Sequence, residues 1–561
     1  MQFDIVIRGG TVVNADGPAR ADVGIVGERI VAVGEGLAAG RREIDARSRL
    51  VMPGGVDSHC HIEQVSSFGI MCADDFYSAT VSAAFGGTTT VIPFCAQHRG
   101  DRIPDVLADY HQRAAEKAVI DYGFHLIVAN PDEQTLAGDL PEAIETGIRS
   151  FKIFMTYERM RLHDEQILDV LMTARRHGAL VMVHAENHGI ISWLAGRMVG
   201  QGRVAPRYHA ICHTRSSEAE AINRVIALAE VVDTPILIVH VSTIEGVAAI
   251  REARARGAKV YGETCPQYLF LTASDIDRGL EGAMFCCSPP PRDEAAQQAC
   301  WRGLKDGALA VYSSDHAPYR YDASGKLPKG DKTTFKEMAN GVPGLELRLP
   351  LLFSEGVGKG RLSLGEFVEL TATRHAEIYG LPTKGRIAPG CDADIAIWDT
   401  ECKLTISAAA LHDNTGYTPY EGRSLSGWPV MVLSRGDVIV DQIQSPGVIQ
   451  AARGRGRFIA RDRSDAVVPA GRMIAEVAQL ATWGAQLGLD SFTLPPRRSV
   501  RSMFLTRVRQ WLPLFGRCAR RRSCASRSAR SIRVCAWHPA AGCQPEGALI
   551  RRIRVYYIIG N

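Results

Sequence analysis

At 561 residues, 46% apolar and 22% charged, the chain has the make-up of a globular enzyme. It has room for one barrel of about 250 residues plus additions. Its net charge of +4 hides an imbalance: residues 491–561 hold fifteen Arg, no Lys and one Glu, or +14, so the first 490 carry −10. An acidic body argues against nucleic-acid binding, and no apolar run reaches the ~18 residues of a membrane span. The start, MQFDIVIRGG, has an acid at position 4 and no long apolar stretch. It is not expected to be a signal peptide, and a cytoplasmic location is expected. The 14 cysteines lack paired metal-ligand spacing and read mostly as buried free thiols.

In chain order, short apolar runs at 3–7, 11–13, 21–26 and 30–33 read as strands of an antiparallel sheet. Strand-like runs then alternate with helix-like ones. The strands are expected at 56–61, 88–93, 123–129, 150–155, 180–184, 236–241, 260–263 and 310–314. Helical runs include 164–177, 217–232, 244–256 and 293–306, with apolar residues three and four apart; Gly178 and Gly257 follow two of them. Eight β/α units predict an α/β fold, a (β/α)8 TIM barrel; a doubly wound sheet fits the same alternation. Strand signals return at 394–399, 430–433 and 438–440, so the two chain ends are expected to build one β-sandwich. The expected division is sandwich at 1–54, barrel at 55–383, sandwich again at 384–465 and a C-terminal segment at 466–490. The Arg-rich tail at 491–561 is expected to be disordered or an aberrant extension. Residues 86–90, Gly-Gly-Thr-Thr-Thr, lack the Gly-Lys-Ser/Thr of a phosphate loop and read as a helix-to-strand turn. Residues 454–457, Gly-Arg-Gly-Arg, read as a solvated loop.

Barrel chemistry collects at the C-terminal ends of strands. The first strand carries His59 and His61, whose i, i+2 spacing turns both imidazoles to one side. The fourth holds Lys152 among large apolar residues, the fifth ends in His184, the sixth in His240 and the eighth in Asp315. Each has an ordinary alternative: a satisfied core histidine, a capping aspartate, a salt-bridged or snorkelling lysine. Together they are metal-compatible residues at five strand ends. Four histidines, a carboxylate and a lysine exceed one tetrahedral zinc. Two metals fit, provided Lys152 supplies oxygen. Its amine would do so after reacting with carbon dioxide to give a carbamate, an anion able to bridge two cations.

The segments PGGVDSHCHIE, FKIFMTY, VMVHAEN, VHVST, GETCPQYL, CSPPPR, SSDHAPY, NGVPGLELRLPLLFSEGV and YTPYEGR resemble the dihydropyrimidinase/hydantoinase branch of the cyclic amidohydrolases. The resemblance covers about residues 1 to 490. It implies two Zn2+ per subunit: His59, His61, carboxylated Lys152 (N6-carboxylysine) and Asp315 on one, the same carbamate with His184 and His240 on the other. It also implies that Tyr157 assists the reacting carbonyl and that Ser288 and Asn340 hold the substrate through their main chains. Asp315 would move the proton as a zinc-bound hydroxide opens the cyclic amide of a 5,6-dihydropyrimidine or 5-substituted hydantoin to an N-carbamoyl amino acid. A homotetramer is implied, with no nucleic-acid or membrane partner. Cys60 stands where Thr or Val is more usual and is expected to point away from the metals. Residues 64–72 and 158–162 also depart from the pattern.

Allantoinase and dihydroorotase are the alternatives within the superfamily. Dihydroorotase-like chains carry Arg two residues after the second histidine to grip the substrate carboxylate. Here Glu63 stands there, and a carboxylate is expected to repel an acidic substituent. A non-catalytic scaffold, like relatives in nerve cells that lack the ligands, is the alternative of another class; all six ligand residue types are present here.

Overall fold

The computed structural model describes residues 2–66, 69–473, 477 and 478, all within the unit Met1–Phe492. The Arg-rich tail at 491–561, and the expected C-terminal segment beyond 478, lie outside the described residues.

The first strand, Phe3–Asn14, joins the two runs that the sequence separates. Its register shifts between Ile7 and Gly10, and Gly9 takes φ +67°. A bulge at a left-handed glycine bends a strand without ending it. The sheet around it has eight strands and both chain ends contribute. Its path runs Asp437–Asp441, Ser424–Ser434, Ile395–Thr405, Leu50–Pro53, Phe3–Asn14, Gly17–Val26, Arg29–Gly34. The sheet is mixed rather than antiparallel, because Gly40–Asp45 and Leu50–Pro53 both lie parallel to the first strand along its second edge. Ile7, Val23 and Ile25 from one chain end share a buried cluster with Ile395, Ile397 and Leu433 from the other.

All eight expected strands of the middle region occur, parallel and each beside the next in chain order. One sheet holds Gly55–Asp57, Thr88–Val91 and Asp121–Tyr122. A second, seven-stranded sheet runs from Phe94–Ala96 through His125–Ile127, Ser150–Phe154, Leu180–His184, Ile236–Ile238 and Val260–Thr264 to Val311–Tyr312. The second expected strand contributes to both sheets, because it breaks around Pro93, which has no N–H to donate. An isolated parallel bridge pairs Cys60, past the end of the first strand, with His316, past the end of the last.

Local signals set the helices between them. Asp164–His177 ends at Gly178, φ +72°. Glu294–Asp306 is capped by Asp293, whose carboxylate accepts the Ala296 N–H, and stops at left-handed Gly307. Thr214 and Thr243 cap Arg215–Val232 and Ile244–Ala255 in the same way, so the first of these starts two residues earlier than its apolar pattern indicates. The turn at 86–90 does join a helix, Phe76–Phe85, to a strand.

Residues 454–457 are a strap, not a solvated loop. Gly456 is buried, with its N–H on Ala118 O at 2.7 Å. Arg455 reaches Asp437 and Arg457 reaches Glu28. Their guanidinium partners lie far away in sequence, so the segment looks free when read alone.

A buried ionic junction ties the two regions. Lys384 Nζ lies 2.7 Å from Asp121, 3.1 Å from Asp392 and 2.6 Å from Asp394. Arg435 adds a second cation on Asp121. The three carboxylates raise the Lys384 pKa despite its burial. Removing one partner of a buried pair costs on the order of 3–5 kcal/mol, because the other charge stays buried. Lys384→Met is therefore expected to lower stability by that order in urea unfolding. An unchanged midpoint would show that Arg435 alone suffices.

Candidate metal centre and substrate cleft

His59, His61 and Asp315 come together: one ligand atom from each lies within 4.8 Å of the others. His59 Nε2 is 3.0 Å and His61 Nε2 3.5 Å from Asp315 Oδ1. Their remaining nitrogens are committed elsewhere. His59 Nδ1 donates to Glu263 at 2.5 Å, and His61 Nδ1 to the Gln64 side-chain oxygen at 2.8 Å. Protons on Nδ1 leave both Nε2 lone pairs free, which is how metal-binding imidazoles are held.

His184 uses the opposite tautomer. Its Nε2 donates to Glu186 at 2.8 Å, leaving Nδ1 free, while Glu186 also holds His213 at 2.8 Å. The His184 and His240 rings lie 4.5 Å apart and the His59 and His240 rings 5.5 Å apart. His240 Nδ1 is buried without a hydrogen-bond partner. An orphaned nitrogen beside free imidazole lone pairs and a carboxylate fits a metal ion in its donor chemistry.

Lys152 is buried between two aromatic faces, its Nζ 5.0 Å from the Phe94 ring and 5.3 Å from the Phe154 ring. Among the described residues it has no ion pair. Burial lowers its pKa to about 8, although Asp315 and Glu263 pull the other way. Burial alone would raise the Asp315 pKa, but His59 and His61 hold it well below the usual range. His61, His184 and His240 are all lowered by burial.

These groups form the floor of a cleft also lined by Gln64, His98, Tyr157, Ser288, Tyr319 and Asn340. The Tyr157 phenol interacts with Ser288 and Asn340, and burial raises its pKa. Tyr157, His240 and Asp315 sit at φ +65°, +41° and +48°. Left-handed backbone is strained for such residues, and it persists where the surroundings over-determine it.

One sequence expectation changes. Glu63 does not line the cleft; its carboxylate holds Lys117 at 2.6 Å and accepts the Phe76 N–H. It therefore repels nothing in the site. No arginine is among the described residues lining the cleft, which is the firmer ground against gripping an acidic substituent. Cys60 is fully buried in the apolar core and does not line the cleft.

The sequence reading missed the groups that orient the ligands. Glu263 had a visible signal: an acid at the end of the seventh strand, Val260–Thr264. Glu186 lies two residues past His184 and also had one. Gln64 had none.

Histidines and an acid gathered at the ends of parallel strands define a metal-dependent hydrolase. Residues 50–439 match the amidohydrolase family model. The chain is 43% identical to a D-hydantoinase of Rhizobium radiobacter over 462 residues, 82% of this chain and 99% of that protein. It is 40% identical to a D-hydantoinase of Geobacillus stearothermophilus over 82% of this chain and 98% of that one. Among solved structures, the dihydropyrimidinase of Brevibacillus agri superposes with a TM-score of 0.79 at 40% identity, covering 82% of this chain and 99% of that chain. The chain belongs to the amidohydrolase family, in its hydantoinase and dihydropyrimidinase branch.

Outer partners of metal-binding histidines tune affinity about 10- to 100-fold. Glu263→Gln is expected to weaken metal binding by that order in chelator competition, with the far-ultraviolet dichroism unchanged. Wild-type affinity would show that Glu263 does not set the His59 tautomer.

Proposed function

We propose that this chain hydrolyses the cyclic amide bond of 5,6-dihydropyrimidines or 5-substituted hydantoins, giving N-carbamoyl amino acids. The observation that carries this is Lys152, a buried amine without an ion pair among His59, His61, His184, His240 and Asp315. As an ammonium it would repel any cation there. As a carbamate it would be an anion able to hold two. A pKa near 8 makes the neutral amine that attacks carbon dioxide accessible near neutral pH.

On this reading His59, His61, Asp315 and the Lys152 carbamate hold one zinc, and the carbamate, His184 and His240 the other. Bound zinc supplies acidified water as the nucleophile and draws electron density from the carbonyl. Asp315 accepts the proton of the nucleophile and passes it to the leaving ring nitrogen. The Tyr157 hydroxyl donates to the developing oxyanion, which its raised pKa permits because the phenol stays protonated. The Ser288 and Asn340 main chains fix the ring in the cleft. The scaffold is read as a closed (β/α)8 barrel over 55–383 with a β-sandwich from 1–54 and 384–465. The assembly is read as a cytoplasmic homotetramer.

The test is a panel of dihydrouracil, dihydrothymine, 5-monosubstituted hydantoins, allantoin and dihydroorotate. The expected kcat/KM for dihydrouracil or a hydantoin exceeds that for dihydroorotate by at least about tenfold, or 1.4 kcal/mol in transition-state binding. Equal or faster dihydroorotate turnover would overturn the assignment.

A further inference from the structure

A second lysine is buried outside the metal centre. Lys326 lies in the irregular chain between Asp315 and Asn340 and has no exposed surface. Its Nζ donates to three main-chain carbonyls: Cys286 O at 2.8 Å, Ala339 O at 2.8 Å and Gly341 O at 2.5 Å. Among the described residues no carboxylate pairs with it. A buried ammonium without an anion is costly, and its pKa falls to about 8. Three carbonyl oxygens converging on one point also repel one another unless a cation sits between them.

The carbonyls belong to two segments that border the cleft. Cys286 precedes Ser288 by two residues, and Ala339 and Gly341 flank Asn340. The segments are also joined directly, by the Gly341 N–H on Cys286 O at 3.0 Å. Ser288, Asn340 and Gly341 line the cleft, and Tyr157 interacts with both Ser288 and Asn340. Lys326 itself does not line the cleft.

We propose that Lys326 is a positioning residue for the substrate: by clamping the carbonyls of Cys286, Ala339 and Gly341 it sets the separation of the Ser288 and Asn340 main chains that grip the cyclic amide. This rests on the functional reading above. A rigid grip is needed because two main-chain contacts act on one small ring, and a displacement near 1 Å in a positioning element is enough to weaken them greatly. Lys326 is nowhere in contact with the metal ligands, so its loss separates ring binding from metal binding.

The test is steady-state kinetics of the metal-loaded enzyme on dihydrouracil and a 5-monosubstituted hydantoin, with metal content measured on the same samples. Lys326→Met is expected to keep wild-type metal content and raise KM about tenfold or more, with a smaller fall in kcat. Lys326→Gln keeps two N–H donors on a shorter arm and is expected to recover part of the KM. A metal-replete Met variant with unchanged KM would overturn the proposal. So would loss of metal, cooperative unfolding and activity together in both variants, which assigns Lys326 to folding instead. A wild type inactive on both compounds overturns the reaction and this role with it, whereas an active wild type confines any failure to Lys326.

Discussion

The structure turns on keeping charge in a dry place. The imidazoles of His59, His184 and His240, an amine and the carboxylates of Asp315 and Glu263 are buried together at the ends of parallel strands, with His61 half-buried beside them. An unmatched polar group there costs on the order of several kcal/mol. Three of the imidazoles are therefore fixed by a second side chain: His59 by Glu263, His61 by Gln64, His184 by Glu186. These contacts also choose which nitrogen carries the proton. The same bonds that make burial tolerable leave the lone pairs free for a metal.

The scaffold applies the same rule away from the centre. Lys384 and Arg435 neutralise Asp121 and Asp394 where the mixed sheet meets the parallel strands, and the strap at 454–457 reinforces that contact. Lys326 satisfies carbonyls rather than carboxylates. Tyr157, His240 and Asp315 keep a positive φ at the cleft. Geometry at the cleft is thus set by contacts that do not themselves touch a substrate.

Much of this was legible in the sequence, for physical reasons. Strands and helices carry their own period, and caps such as Asp293 and glycines such as Gly178 mark where helices stop. His59, His61, Lys152, His184, His240 and Asp315 stand out because such residues are rare in buried strands. Their supports were not legible. Glu263 lies 204 residues from His59, so an acid at a strand end says nothing alone about which ring it orients. Glu63 misled for the same reason: Lys117, 54 residues on, claims its carboxylate. The strap looked solvated because Glu28, Ser434 and Asp437, which bind its arginines, are brought near only by the fold.

The central claim is that Lys152 enters the site as an anion joining two cations. The most direct test pairs metal analysis with carbon-13 NMR of protein loaded in labelled bicarbonate. The account predicts two divalent ions per chain and one carbamate carbon, with both the labelled carbon and most of the metal lost in Lys152→Ala. Two ions bound with no labelled carbon, or full metal content in Lys152→Ala, would contradict it.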